Sequence, residues 1–172
     1  MSEVIEHALD ADALSQRWRE ILDDPRLADF AGKIDLDCWG RIIIGPVNTE
    51  YGAIAANLAV LFRAQLGGRT LVEVGIRTSS AVYAPDVAWC TDEFLQARRN
   101  ETPLETAPAI CVEIASPSNA IHDLRAKARA YLDAGATEAW IVFPRSRRIE
   151  FYGKSAAIDR TQFTLELSHV FD

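Results

Sequence analysis

The chain has 172 residues, with 18 Lys+Arg against 25 Asp+Glu and a formal charge of −7. That length suits one domain, and at 49% hydrophobic and 25% charged residues the chain is too apolar to stay disordered. No uncharged apolar run reaches the roughly 18 residues of a membrane span. The acidic start MSEVIEHALDADAL is unlike a secretory signal, so no membrane partner and a cytoplasmic location are expected. Cys38, Cys90 and Cys111 are far apart without a C-x-x-C, which argues against a disulfide framework or zinc site. His7, His122 and His169 are equally scattered. Residues 1–40 hold 10 acidic and 4 basic residues, a balance of −6; residues 41–172 hold 15 and 14, a balance of −1. The larger part of the chain is therefore open to a polyanion.

In chain order, Leu14, Trp18, Ile21 and Leu22 recur at helical spacing within about 11–30, with Asp10 or Asp12 as caps. Residues 1–30 are expected to form an acidic helical segment, and 31–172 the main domain. Lys33 to Asp37 alternates like a strand, Cys38-Trp39-Gly40 turns, and Arg41 to Ile44 reads as a second strand. A long helix follows from Thr49 to Leu66, with its apolar stripe on Ile54, Leu58, Leu61, Phe62 and Leu66. Thr70–Arg77 and Ala81–Trp89 read as two strands. Residues 91–108 read as a loop with one helical turn. Ala109–Ala115 is a strand, Ser116-Pro117-Ser118 breaks it and caps a helix over about 119–134, Gly135 ends that helix, and Ala139–Phe143 is a buried strand. This strand–helix–strand unit predicts a parallel crossover. Arg148–Tyr152 and Phe163–Leu167 read as a closing β pair. The expected fold is α/β, a single domain with a mixed β-sheet flanked by helices.

Two carboxylates sit where charge is rare. Asp86 follows Pro85 inside a strand pattern, and Glu113 is central in another. Period-two alternation places Glu113 with Cys111 and Ala115, and Asp86 with Ala84 and Ala88. Such small neighbours leave room for a metal ion with its waters, and the same pattern also fits plain ion pairs at a sheet edge. From Glu113 out to Ser118 is about 16 Å of strand; nine helical residues back from there, about 13.5 Å, bring Lys127 level with Glu113. Asp123, Lys127 and Tyr131 share one helix stripe. That stripe either faces the carboxylates or carries an exposed Asp123–Lys127 pair.

These residues resemble a family. The stretches Lys33-Ile34-Asp35-Leu36-Asp37 with Gly40-Arg41-Ile42, Ala84-Pro85-Asp86-Val87-Ala88-Trp89, Cys111-Val112-Glu113-Ile114 with Ser116-Pro117-Ser118, Lys127 with Tyr131 and Gly135, and Glu138 with Trp140-Ile141-Val142 occur in order. They look like the restriction-endonuclease domain family of the PD-(D/E)XK nuclease superfamily, over about residues 30–155. The resemblance implies a restriction-endonuclease-like fold and Mg²⁺-dependent (or Mn²⁺-dependent) hydrolysis of DNA phosphodiester bonds, with Asp86, Glu113 and Lys127 catalytic. Asp86, Glu113 and the Ile114 carbonyl would hold the metal. Glu50, Glu73, Asp123 and Tyr131 are candidate accessory residues, and Arg125 and Arg129 are candidate nucleic-acid contacts. The superfamily also implies a homodimer. The sequence departs from the pattern twice. Ala115 stands where the superfamily has its lysine, two residues after the glutamate, and Glu50-Tyr51-Gly52 stands where close relatives have His-Gly. The second reading is a non-catalytic nuclease-fold module that binds nucleic acid or a protein. An acyl hydrolase and a dinucleotide-binding protein are disfavoured, since neither G-x-S-x-G nor G-x-G-x-x-G occurs.

Overall fold

The computed structural model describes residues 7–27, 30, 32–45, 49–117 and 119–172. Its elements are α1 (Ala11–Leu22), β1 (Lys33–Leu36), β2 (Ile42–Gly45), α2 (Thr49–Leu66), β3 (Arg69–Leu71), β4 (Ile76–Arg77), β5 (Val82–Tyr83), β6 (Val87–Cys90), α3 (Asp92–Arg98), β7 (Ile110–Ile114), α4 (Ile121–Asp133), β8 (Glu138–Phe143), β9 (Arg148–Gly153) and β10 (Ala157–Ile158). Among the described residues no helix is long and apolar enough to cross a membrane.

The strands form two sheets where the sequence suggested one. A four-stranded sheet runs β2-β1-β5-β4, and a six-stranded sheet runs β10-β9-β8-β7-β6-β3. The larger sheet is mixed. β7 and β8 are parallel, joined through α4 as the crossover pattern predicts, while the other pairs are antiparallel. Alternation sorts its faces. Ile110, Val112 and Ile114 pack with Ile54, Leu58 and Phe62 of α2. Cys111 packs on the other face with Leu124, Ala128 and Tyr131 of α4. Glu113 belongs to that second face.

The two sheets arise from breaks inside both middle strand patterns. Thr70–Arg77 divides into β3 of the large sheet and β4 of the small one; Ala81–Trp89 divides into β5 of the small and β6 of the large. At the first break Glu73 has a positive φ of 51°. At the second, Pro85 has no N–H for a ladder. The Glu73 N–H donates to the Pro85 carbonyl, so the two breaks are tied together. Gly75 lies under the indole of Trp18, where a Cβ would collide with the ring. Leu14, Trp18 and Ile21 of α1 thereby reach Leu36, Val82 and Ala84 of the small sheet.

Three further expectations are corrected. α1 ends at Leu22 rather than near residue 30, because the apolar stripe stops and Pro25 follows. Phe163–Leu167 is not a strand, and β9 pairs with Ala157–Ile158 instead. Phe163, Leu165 and Leu167 do alternate inward, against the α2 side of the core, so their pattern reports burial and not pairing. The α4 cap is Ala120, with no side-chain bond to the helix; Ser118 lies outside the described residues.

Candidate active site

The switch between sheets at Pro85 decides where Asp86 points. The β6–β7 ladder runs from Trp89 opposite Ile110 to Val87 opposite Val112. Its next step would set Ile114 opposite Pro85, which has no N–H to offer. The ladder stops, and the Ile114 N–H donates instead to Asp86 Oδ2 at 2.6 Å. The Asp86 carboxylate is thus held at the open end of the sheet, and the Ile114 carbonyl faces a residue without a ladder donor.

Three elements converge on Asp86 there. β1 brings Lys33 and Asp35, two residues apart on one face; β7 brings Glu113; α4 brings Lys127 and Tyr131, one turn apart. Lys33 Nζ lies 2.8 Å from Asp86 Oδ1 and 2.8 Å from Glu113 Oε2. The Tyr131 hydroxyl donates to Glu113 Oε1 at 2.6 Å. Lys127 Nζ donates to Asp35 Oδ2 at 2.5 Å and stands 3.6 Å from Glu113 Oε2. Asp35 is anchored in turn by the Ala84 N–H at 2.7 Å. Lys127 Nζ also lies 5.3 Å from the centre of the Tyr83 ring, within cation–π range.

Burial and mutual charge set the protonation of this cluster. Burial works against the Lys33 ammonium, but Glu113, Asp86 and Asp35 outweigh it and hold its pKa above the ordinary lysine value. Lys127 is raised as well, its burial overcome by Glu113 and Asp35. Glu113 is buried, yet Lys33 and Lys127 hold its pKa down. Asp86 goes the other way: burial and the neighbouring Glu113 push it up more than Lys33 pulls it down. Two carboxylates that share one lysine cannot both be fully compensated. Tyr131 is raised by burial and by Glu113, so it remains a donor.

The cluster floors a cleft of about 870 Å³. Asp35, Asp86, Glu113, Lys33 and Lys127 line one side, and Ile43, Ile44, Ala55, Ala59 and Val72 are among the residues lining the rest. Ile114 also reaches the cleft. Of the residues singled out in the sequence, Asp86, Glu113, Lys127 and Tyr131 are brought together. Asp123 lines the cleft but is exposed and contacts His122 at 2.9 Å. Glu73 lines it as an exposed residue, and Glu50 is exposed without lining it. Arg125 and Arg129 are not part of the cleft wall; Arg125 meets Tyr152 and Glu150, and Arg129 meets the Lys154 carbonyl. Sequence reasoning missed Lys33 and Asp35 as site residues. Their signal was present, since two charges at i and i+2 share one face of a strand whose other face, Ile34 and Leu36, is apolar.

The donor set is compatible with Mg²⁺. Among the described residues no group of three His, Cys, Asp or Glu side chains is placed to hold a metal. Two adjacent carboxylates and a backbone carbonyl at the end of the β6–β7 ladder are oxygen donors of the kind a hard cation takes alongside several waters.

Comparison with known proteins agrees with this architecture. The structure resembles the crystal structure of a protein from Anabaena variabilis described as a "putative nuclease", with a TM-score of 0.63 at 17% identity over 74% of this chain and 76% of that one. At that identity the likeness establishes a shared α/β fold. The model of the family described as "Putative restriction endonuclease" (Uma2) matches residues 7–171, and this chain belongs to that family. No curated protein matches the chain.

Proposed function

We propose that this protein is a metal-dependent endonuclease that hydrolyses DNA phosphodiester bonds in the cleft above Asp86 and Glu113. The observation that carries the reading is the pairing of these carboxylates, each within 2.8 Å of one ammonium at the open end of a sheet. Asp86, Glu113 and the Ile114 carbonyl would hold Mg²⁺ or Mn²⁺. Bound there, the ion would supply Lewis-acid help to the scissile phosphate and a more acidic water. The chain's own groups do the rest. Tyr131 fixes the Glu113 carboxylate from below, and the Ile114 N–H fixes Asp86. Lys127, anchored on Asp35, presents positive charge where a phosphate's charge would develop.

The second reading, a binding module without cleavage, draws on one feature: every oxygen of Asp86 and Glu113 already has a donor within the protein. Supercoiled plasmid and single-stranded DNA incubated with the pure protein in Mg²⁺, Mn²⁺ or EDTA separate the two. Nicking in metal, absent in EDTA and lowered on the order of 10²-fold or more by Asp86→Ala, is expected. A wild type that binds DNA but leaves it intact in every metal would overturn the nuclease reading.

A further inference from the structure

The chain has only three lysines, Lys33, Lys127 and Lys154, and two of them meet in this cluster. Their attachments differ. Lys127 is held by Asp35, which is itself fixed by a backbone N–H from Ala84. Among the described residues Lys33 has no such third-party anchor in its bonds: it bridges Asp86 and Glu113, the two residues a cation would need. A divalent ion held by both carboxylates at Mg–O distances of about 2.0–2.1 Å would need the space that this ammonium fills. Two cations cannot share it. Lys33 is only 8% exposed, yet its side chain lines the cleft, so the way out of the carboxylate pair leads toward bound substrate.

We propose that Lys33 is a resident cation, bridging Asp86 and Glu113, that a divalent metal displaces into the cleft, where the freed ammonium contacts the DNA phosphate. The proposal rests on the metallonuclease reading above. It gives Lys33 two successive jobs. Without metal, it compensates two carboxylates that would otherwise repel one another in a buried place. With metal, it becomes a flexible, strongly hydrated point charge with three donors, the form of cation suited to a phosphate oxygen that moves during reaction. Lys127 stays on Asp35 throughout. The lysine absent at Ala115 is then replaced by two cations with separate roles, one fixed and one exchangeable.

The direct test uses the wild-type full chain. With three lysines, ¹H–¹⁵N spectra of the side-chain ammonium groups are simple, and a Lys33→Arg sample assigns the Lys33 signal. Mg²⁺ is added, the Ile114 backbone amide reports its arrival beside Asp86, and Lys154 is the reference. Loss or movement of the Lys33 ammonium signal with the same midpoint as the Ile114 amide is expected. An Ile114 amide that titrates while the Lys33 signal stays unchanged overturns the displacement and leaves the metal reading standing. No response in either signal overturns both. Mn²⁺ calorimetry gives the second arm. Lys33→Met, which lacks the competitor, is expected to bind Mn²⁺ roughly tenfold tighter or more than wild type; equal or weaker binding overturns the proposal.

Discussion

Two glutamates are buried in neighbouring parallel strands, and they have opposite surroundings. Glu113 on β7 is 3% exposed and Glu138 on β8 is fully buried. Glu113 shares Lys33 with a second carboxylate, lies near Lys127, and reaches the cleft. Among the described residues, Glu138 has no cation in its hydrogen bonds. It accepts from the Trp140 indole at 2.7 Å, the Thr161 hydroxyl at 2.8 Å and the Gln162 N–H at 2.7 Å, which ties the C-terminal segment to the sheet. Burial of a carboxylate is therefore not by itself the sign of a site. The partners decide: fixed neutral donors make a clamp, whereas an ammonium shared by two carboxylates beside a cleft makes a candidate site.

The comparison is sharpened first by cleavage. Asp86→Asn is expected to lower plasmid nicking by on the order of 10²-fold or more, read as an initial rate in Mg²⁺, because on the proposed reading it removes a metal ligand while keeping the shape. Next comes the clamp. Glu138→Ala strands the buried Trp140 indole and two part-buried donors, Thr161 and Gln162, and a loss of about 2–4 kcal/mol in urea unfolding is expected, with the nicking rate per folded molecule unchanged. Tyr131→Phe removes one hydrogen bond to Glu113 and should cost about 1–2 kcal/mol by the same measurement. It should also lower nicking, which a purely structural tyrosine would not do once folded fraction is corrected.

The smallest effect lies away from both glutamates, at Glu150. Burial raises its pKa, but the Tyr152 hydroxyl and Arg148 and Arg125 outweigh that and hold it below the ordinary glutamate value of 4.5. A carboxyl lowered on folding adds stability above its unfolded pKa and loses it as pH falls through the folded one. Glu150→Gln should therefore flatten the fall of the unfolding midpoint between about pH 5 and 3. An unchanged slope would show that this ion pair contributes nothing.

What could be read from the sequence follows from how local each signal is. The strand–helix–strand unit was legible because Cys111, Glu113 and Ala115 alternate with an apolar face, and because Lys127 and Tyr131 are one turn apart. These are relations within one segment plus a single crossover, and they brought three of the cluster's residues together. The division into two sheets was not legible, since β3–β4 and β5–β6 each run through as one β pattern and separate only at Glu73 and Pro85. Lys33 and Asp35 were missed for the same reason. Their strand was recognised, but its charged face meets Asp86 and Glu113 only through the small sheet's placement, and an exposed charged face looks the same in sequence.

The most direct measurement of the central claim is plasmid nicking in Mg²⁺ by three proteins, the wild type, Glu113→Gln and Glu138→Gln, each corrected for folded fraction. The account predicts loss on the order of 10²-fold or more for Glu113→Gln and a rate within about threefold of wild type for Glu138→Gln. Equal rates for wild type and Glu113→Gln would contradict it.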